Sequence, residues 1–270
     1  MTQGTGVPLL FRGVAVLTLI VLLLPVVIVV LSGLNSGEFL TFPPEGLSLR
    51  WVKAFLTSPT FMTAYLLSFG LALSATLIAT TIGTMASLYL VRFAGPWRGA
   101  MRGFFLSPLL LPGVVIGLAL YVFYISVDLG FARTFWGILV GHVIVTTPYV
   151  IGTVTAALVN FDKSYEEAAR SLGAGPLTAF RKVTLPIIAP GVVAGAVFAF
   201  IVSFGQFEVA LFLSTPNIEP LPIAMYISLR YAFEPTAAAA GIFAILLVVV
   251  SMTVTARLVN LREFSGIKFN

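Results

Sequence analysis

Residues 167–173 of this chain read Glu-Ala-Ala-Arg-Ser-Leu-Gly, and after nine intervening residues the chain continues Val183-Thr184-Leu185-Pro186. Charged side chains are frequent between residues 162 and 182, whereas long apolar runs lie on both sides. The chain therefore contains a short hydrophilic segment between long hydrophobic ones.

The composition is that of a polytopic membrane protein. Hydrophobic residues make up 59% of the 270 positions and charged residues only 9%, far from the balance of a soluble domain. A helix needs about 20 mostly apolar residues to cross a bilayer. Six charge-free runs predict an all-α protein with one membrane domain over residues 1–270 and spans near residues 13–34, 61–91, 103–126, 134–158, 187–213 and 236–257.

The first of these runs could also be a signal peptide, because Arg12 precedes it. The run is too long for the hydrophobic region of a signal peptide, and no cleavage site of the A-x-A type follows it. We therefore expect it to be a retained first transmembrane helix.

The distribution of Lys and Arg predicts the orientation, because short loops that stay in the cytoplasm are enriched in both. With the N-terminus inside, four basic residues fall outside, namely Arg50, Lys53, Arg133 and Arg230. Eleven fall inside, namely Arg12, Arg92, Arg98, Arg102, Lys163, Arg170, Arg181, Lys182, Arg257, Arg262 and Lys268. Both termini and the 160–186 segment are thus predicted to be cytoplasmic, and the spread of these charges argues against nucleic-acid binding.

The 160–186 segment has local signals for two short helices. Ser164 and Glu167 have the spacing of a capping box, which predicts a helix start at Ser164. Gly173 fits the left-handed position that often closes a helix. Pro176 suits the first turn of a second short helix, and Pro186 precedes the next span. An ordinary amphipathic loop would show the same local pattern, so these signals leave the role of the segment open.

The full spacing, E-A-A-x3-G-x9-[I/V]-x-L-P, resembles the signature loop of binding-protein-dependent ABC importer permeases, with Val183 where isoleucine is usual. Further similarities occur at residues 42–51, Gly141-His142, 147–149, 203–207, Leu221-Pro222-Ile223 and Arg230. Over roughly residues 40–260 the chain looks like the spermidine/putrescine branch of these permeases.

This resemblance implies a type I ABC importer permease fold, in which the loop docks as a coupling helix on a cytoplasmic ABC ATPase dimer. It also implies a second, related permease subunit, an extracytoplasmic solute-binding protein, and a location in the bacterial cytoplasmic (inner) membrane. The residues expected to couple the chain to the ATPase are Glu166, Glu167, Ala168, Ala169, Leu172, Gly173, Leu185 and Pro186.

The chain itself lacks the sequence features of an ATPase or a metalloenzyme. None of its four lysines follows a glycine, so the GK[ST] ending of a phosphate-binding loop is absent. It has no cysteine and a single histidine, which is a weak basis for a metal site. We expect no catalytic, cofactor or metal site in this chain, with ATP and Mg used by the partner ATPase.

Polar residues at membrane depth are the candidates for a substrate pathway, because they usually face the interior of a helix bundle. In the fourth span, His142, Thr146 and Tyr149 recur at helical spacing and share one face. A packing role, with His142 hydrogen-bonded to a neighbouring helix, is the simpler interpretation of this face.

In the fifth span, Ser203 and Gln206 share a face, whereas Glu208 would point the opposite way in a regular helix. All three could line one pathway only if the helix breaks near Gly205. Polyamine permeases of the family commonly carry acidic residues near positions 205 and 206, and here only the displaced Glu208 is acidic. The expected solute is a polyamine or a similar cationic or zwitterionic compound. A role of Glu208 in an interfacial salt bridge is an equal alternative.

Two other classes of protein fit the sequence less well. A stand-alone secondary carrier or channel would explain six spans, but inverted repeats are not visible and neither class needs the Glu-Ala-Ala loop. An intramembrane enzyme would need a nucleophile beside a base, and the only histidine, His142, lies in the fourth span.

Overall fold

The computed structural model describes residues 9–128 and 130–258, and within them the chain is helical, with only two isolated β-bridges. The prediction of an all-α membrane protein is confirmed. The α-helices are α1 (Leu9–Gly33), α2 (Arg50–Thr57), α3 (Pro59–Arg92), α4 (Arg98–Leu106), α5 (Gly113–Ser126), α6 (Phe135–Val159), α7 (Ser164–Ser171), α8 (Pro176–Ala179), α9 (Leu185–Phe204), α10 (Ala210–Leu213), α11 (Leu221–Tyr231) and α12 (Thr236–Leu258). Arg262 and Lys268, which support a cytoplasmic C-terminus, lie outside the described residues.

Five helical segments within the described residues are long and apolar enough to cross a membrane, and a bent pair brings the number to six if it is counted as one span. The pair consists of Gly95–Leu109 and Gly113–Ser126, which meet at 93°. Pro108 and Pro112 flank the break, and proline removes a helical hydrogen bond and clashes with the preceding turn. The span expected over residues 103–126 is thus divided into two helical pieces at these prolines.

The fifth predicted span also differs from the structure. It was expected to continue to residue 213, but α9 ends at Phe204, with Gly205 at its C-cap, and α10 begins only at Ala210. The helix break at Gly205 has consequences for the polar residues that follow it.

The described residues group into two compact units. Among these residues, the first unit comprises 9–62 with 224–247, and the second comprises 63–128 and 130–223 with 248–258. The single membrane domain over residues 1–270 stays a prediction.

In the first unit, the loop after α1 folds around the buried side chain of Asn35. The amide nitrogen Nδ2 donates to the carbonyl of Phe39 and to Thr41 Oγ1, both at 3.1 Å. The amide oxygen Oδ1 accepts from the backbone N–H groups of Gly37 at 3.2 Å and Glu45 at 3.0 Å. The side chain thus uses both donor hydrogens and both acceptor lone pairs, so one residue holds together the turn between residues 35 and 45.

We expect Asn35→Leu to unfold this loop locally. Leucine has a similarly branched side chain but leaves the N–H groups of Gly37 and Glu45 without an acceptor, at a cost on the order of 3 kcal/mol. Limited proteolysis of the purified protein should show new cleavage between residues 36 and 49. Asn160→Leu is the matched control, because Asn160 is exposed and its side chain makes one hydrogen bond to Ala156 of its own helix. Equal protease resistance of both variants would contradict the role assigned to Asn35.

In the second unit, α6 and α9 pack closely through glycines on α9. Gly191 and Gly195 are buried and lie one turn apart. A Cβ at Gly195 would overlap with Thr153 Oγ1 and lie 3.0 Å from the Cα of Val150, while a Cβ at Gly191 would lie 3.1 Å from the carbonyl oxygen of Thr153. Small residues four apart allow membrane helices to approach backbone to backbone. This packing places the polar residues of α6 against those of α9.

Candidate functional site

The 160–186 segment forms the predicted helix α7, which closes as expected at Gly173. Gly173 has a φ of +89°, the left-handed region that favours glycine. The N–H of Ala174 donates to the carbonyl of Ala169 at 3.1 Å, and the N–H of Gly173 donates to that of Arg170 at 3.0 Å. These two bonds form a Schellman motif, so the chain turns sharply at a fixed angle after α7.

The helix α7 begins at Ser164, as predicted, but the expected capping box does not form. Lys163 is at the N-cap without a side-chain hydrogen bond. The carboxylate of Asp162 instead accepts from the N–H of Ser164 at 2.9 Å. Hydrogen bonds from the Ser164 backbone and hydroxyl hold the pKa of Asp162 below its usual value. An ionised carboxylate is a strong acceptor at the positive end of a helix, and it takes the place expected of the Ser164 side chain.

The second short helix is not separate from the fifth span. The helix α8 begins with Pro176 in its first turn, as predicted, but continues through a π-helical turn over Phe180–Thr184 into α9. Pro186 then lies in the first turn of α9 rather than before a new helix. The widened π turn accommodates the proline ring, which would clash with the preceding turn of a regular α-helix. Leu185 and Pro186 thus belong to a continuous helical segment from Pro176 to Phe204.

The residues expected to couple to an ATPase are mostly exposed on α7 and its turn. Glu167 and Ala168 are exposed, Ala169 is half-buried, and the side chain of Leu172 is 90% exposed. Glu166 is different, because its side chain is only 15% exposed and turns toward the rest of the unit. The two consecutive glutamates therefore have different surroundings, a distinction that the sequence pattern did not make.

Glu166 forms a hydrogen-bonded cluster with Arg92 and Thr184. The guanidinium of Arg92 donates from Nη1 to Glu166 Oε1 at 3.1 Å and from Nη2 to Oε2 at 2.6 Å. The hydroxyl of the fully buried Thr184 donates to Glu166 Oε2 at 2.8 Å. Partial burial would raise the pKa of Glu166, but the hydrogen bonds from Arg92 and Thr184 and the positive charges of Arg92 and Arg170 hold it below the usual value. The carboxyl group is thus ionised at neutral pH and fully paired.

Two of the candidate pathway residues, His142 and Ser203, come together between α6 and α9. The imidazole Nδ1 and Ser203 Oγ are 2.8 Å apart, and both residues are buried. The hydroxyl of Thr146 donates to the carbonyl of His142 at 2.7 Å, within its own helix, while Tyr149 is half-buried. These contacts favour the packing interpretation of this face. The imidazole Nε2 has no hydrogen-bond partner in the part of the chain that the structure describes.

The break after α9 separates Ser203 from Gln206 and Glu208. The N–H of Gln206 donates to the carbonyl of Ser203 at 3.2 Å, and the chain then leaves the helix with Gln206 half-buried and Glu208 exposed. The carboxylate of Glu208 lies against Gly113 at the N-terminus of α5, where any Cβ would overlap with it. The helix break near Gly205, which is the condition for Gln206 and Glu208 to face one pathway, is present, whereas the hydroxyl of Ser203 contacts His142 between α6 and α9.

Three residues of these clusters were not identified as functional from the sequence: Arg92, Thr184 and Gly113. Arg92 was counted only as a basic residue of the cytoplasmic side, although it ends a charge-free run that begins at residue 54. A charge directly at the end of a long apolar helix is a signal for a specific partner. Thr184 and Gly113 carry no comparable signal, because small residues are common in membrane helices.

A family model described as "Binding-protein-dependent transport system inner membrane component" matches residues 79–264 of the chain. The match includes α7, the turn at Gly173 and the whole of α9. It therefore covers the Arg92–Glu166–Thr184 cluster and the helix break at Gly205.

Three curated proteins show the range of similarity. The chain is 34% identical to the putrescine transport system permease protein PotI of Escherichia coli (strain K12), over 78% of this chain and 76% of PotI. It is 28% identical to the spermidine/putrescine transport system permease protein PotC of Haemophilus influenzae, over 87% of this chain and 91% of PotC. It is 33% identical to the molybdenum transport system permease protein ModB of Mycobacterium bovis, over 84% of this chain and 90% of ModB.

Solved structures of ABC transporters share the fold at low identity. A bacterial ABC transporter involved in the import of the acidic polysaccharide alginate matches with a TM-score of 0.68 and 16% identity, over 95% of this chain and 99% of that chain. The MetNI methionine ABC transporter matches with a TM-score of 0.60 and 19% identity, over 74% of this chain and 95% of that chain. The helical arrangement described above is thus that of an ABC importer permease.

Proposed function

The chain belongs to the binding-protein-dependent transport system inner membrane components, the permease subunits of ABC importers, and on this basis we propose that it docks a separate ATPase through α7 and the turn at Gly173. The resemblance inferred from the loop spacing is confirmed at the level of the family. In the proposed complex, this chain and a second permease subunit enclose a translocation pathway, and a solute-binding protein delivers the solute from outside.

The surface of α7 supports ATPase docking. Glu167, Ala168 and Leu172 are exposed, and nothing in the described part of the chain covers them. An open cavity of about 240 Å³ lies beside them, lined by Arg92, Phe93, Lys163, Glu166, Glu167 and Arg170. A rigid turn with small, polar and apolar groups side by side offers a partner both shape and charge. The single observation that carries the proposal is this exposed Glu-Ala-Ala turn, closed at Gly173, in a chain of this family.

For the solute, we propose a small organic cation of the polyamine type. The likeness to PotI supports it, and so does the exposed carboxylate of Glu208 beside the break in α9. The nearly equal identity to ModB shows that overall similarity alone does not decide the solute. A thermal-shift screen of the cognate binding protein against putrescine, spermidine, amino-acid derivatives and molybdate would test the proposal, and stabilisation by molybdate alone would overturn it.

We expect Glu208→Gln to reduce uptake of labelled putrescine about tenfold in proteoliposomes that contain the complete transporter. The variant lacks the negative charge that would attract a cationic solute at this point of the proposed pathway. Gln206→Ala should reduce uptake less, since it removes a neutral side chain. Binding-protein-stimulated ATP hydrolysis is measured in parallel.

Glu38→Gln is the matched control, because the side chain of Glu38 is also exposed, at 73%. Unchanged uptake and ATP hydrolysis in both Glu208→Gln and Gln206→Ala would remove these residues from the pathway. Retention of the ATPase by the wild-type protein without any putrescine uptake would contradict the polyamine proposal alone.

A further inference from the structure

Three segments of the second unit meet at the Arg92–Glu166–Thr184 cluster. Arg92 is the last residue of the 34-residue helix α3, Glu166 lies in the first turn of α7, and Thr184 directly precedes α9. Arg92 and Glu166 are 74 residues apart along the chain, and Glu166 and Thr184 are 18 apart. The cluster therefore joins the short cytoplasmic helix to the ends of two membrane helices.

The geometry of this cluster is more restrictive than that of a surface ion pair. Both oxygens of Glu166 are held by both terminal nitrogens of Arg92, and the Arg92 Nη2 group also lies 3.4 Å from Thr184 Oγ1. A bidentate guanidinium–carboxylate pair fixes orientation as well as distance. The side chains of Arg92 and Glu166 are 20% and 15% exposed, so solvent screens their attraction only partly.

The second ion pair in the described part of the chain has the opposite character. Arg50 and Glu38 approach only to 3.6 Å, and their side chains are 53% and 73% exposed. Exposed pairs of this kind contribute little to stability. The contrast indicates that the pairing of Arg92 with Glu166 is a specific constraint on the position of α7.

The connections of α7 explain why such a constraint is needed. The helix has only eight residues and no buried side chain. It is joined to its neighbours by short turns at residues 160–163 and 172–175. Apolar packing therefore does not fix its orientation, and the turn at Gly173 sets only its angle to the residues that follow. Without a further contact, α7 could tilt relative to α3 and would absorb a push from a docked partner instead of passing it on.

We propose that the Arg92–Glu166–Thr184 cluster is a positioning element that makes α7 move as one body with the ends of α3 and α9. The proposal rests on the docking of an ATPase at α7 and assigns Glu166 a task different from that of Glu167. Glu167 faces the ATPase, whereas Glu166 carries the displacement inward through Arg92 to α3 and through Thr184 to α9. Movement of the ATPase thereby reaches two membrane helices together, as rigid-body coupling requires.

The test separates this role from simple stabilisation by exchanging the charges. Arg92→Glu and Glu166→Arg each place like charges together, and the double variant restores an opposite pair. In each single variant, the binding-protein stimulation of ATP hydrolysis, normalised to the ATPase that co-purifies, should fall roughly tenfold, and the double variant should recover most of it. Arg98→Glu is the matched control, because Arg98 is exposed at the start of α4 on the same predicted side.

A distance measurement reports on the coupling directly. The chain has no cysteine, so spin labels can be placed selectively at Met85→Cys on α3 and Tyr165→Cys on α7, which are 65% and 58% exposed and lie outside the residues assigned to ATPase docking. With the intact cluster, we expect a narrow distance distribution that does not change between the nucleotide-free and the vanadate-trapped transporter. In Arg92→Glu the distribution should broaden, and the double exchange should narrow it again.

The outcomes distinguish this inference from the proposed function. If the wild-type chain does not retain the ATPase, the docking proposal fails. If it does, while Arg92→Glu and Glu166→Arg show unchanged stimulation and a narrow distribution, the positioning role is overturned and docking stands. The role is also contradicted if the double variant retains the ATPase but loses as much activity as the single variants. In that case the activity would depend on the identity of the residues and not on their pairing.

Discussion

Replacing Gly195 by isoleucine is expected to prevent the correct packing of α6 against α9 and to give protein that does not survive extraction from the membrane. Even a Cβ at this position would overlap with Thr153 Oγ1 and press on the backbone of Val150 at 3.0 Å. A backbone cannot move aside as a flexible side chain can, so the two helices would have to separate. We expect the substitution to lower the free energy of unfolding by about 3 kcal/mol or more. Separation of the two helices would also break the buried hydrogen bond between His142 and Ser203.

The measurement is the fraction of monodisperse protein after detergent extraction, together with its melting temperature. Gly152→Ile serves as control, since Gly152 lies on α6, is exposed, and has no neighbouring side chain or helix within 4 Å of the position that a Cβ would take. The same isoleucine should be tolerated there. Equal yield and equal melting temperature for both variants would show that the two helices do not approach each other at Gly195 as closely as described.

Replacing Gly173 by proline is expected to leave the protein inserted in the membrane but to abolish stable retention of the ATPase. Gly173 adopts a φ of +89°, whereas proline is restricted to about −65°. The substitution also removes the N–H that donates to the carbonyl of Arg170. Strain of about 1–3 kcal/mol at the turn corresponds to a roughly 5- to 150-fold weakening of docking. Glu167→Lys should have a similar effect without strain, because its exposed side chain meets the partner directly.

Gly175→Pro provides a matched control two residues away. Gly175 has a φ of −67° and a ψ of 162°, values that proline adopts readily. ATPase that co-purifies with the permease is quantified for each variant relative to wild type. A full complement of ATPase with Gly173→Pro and Glu167→Lys, together with normal uptake, would refute the coupling function of the loop.

The sequence predicted those features that depend on neighbouring residues. The left-handed turn at Gly173 and the helix start at Pro176 followed from residue type and spacing, and both are present. The prediction failed where two local signals competed. Ser164 had the right spacing for a cap, but the carboxylate of Asp162 provides it. Pro186 was expected to separate two helices, yet a π turn accommodates it.

The candidate site was predictable only in part, because its two glutamates differ through distant contacts. Glu166 and Glu167 are adjacent and chemically identical, and the spacing assigned both to ATPase coupling. Only the position of Arg92, 74 residues earlier, decides that Glu166 turns inward. In the same way, His142 and Ser203 were separate candidates until the glycines of α9 brought their helices together.

The sequence by itself determined the class of protein, the number of apolar segments and the identity of the loop, because hydrophobicity and turn chemistry act over a few residues. Tertiary structure alone decided which helix faces meet and which charges are paired. Those features arise from residues far apart in the chain, whose contacts depend on how closely whole helices can approach. The pairing of Arg92, Glu166 and Thr184 belongs to this second group.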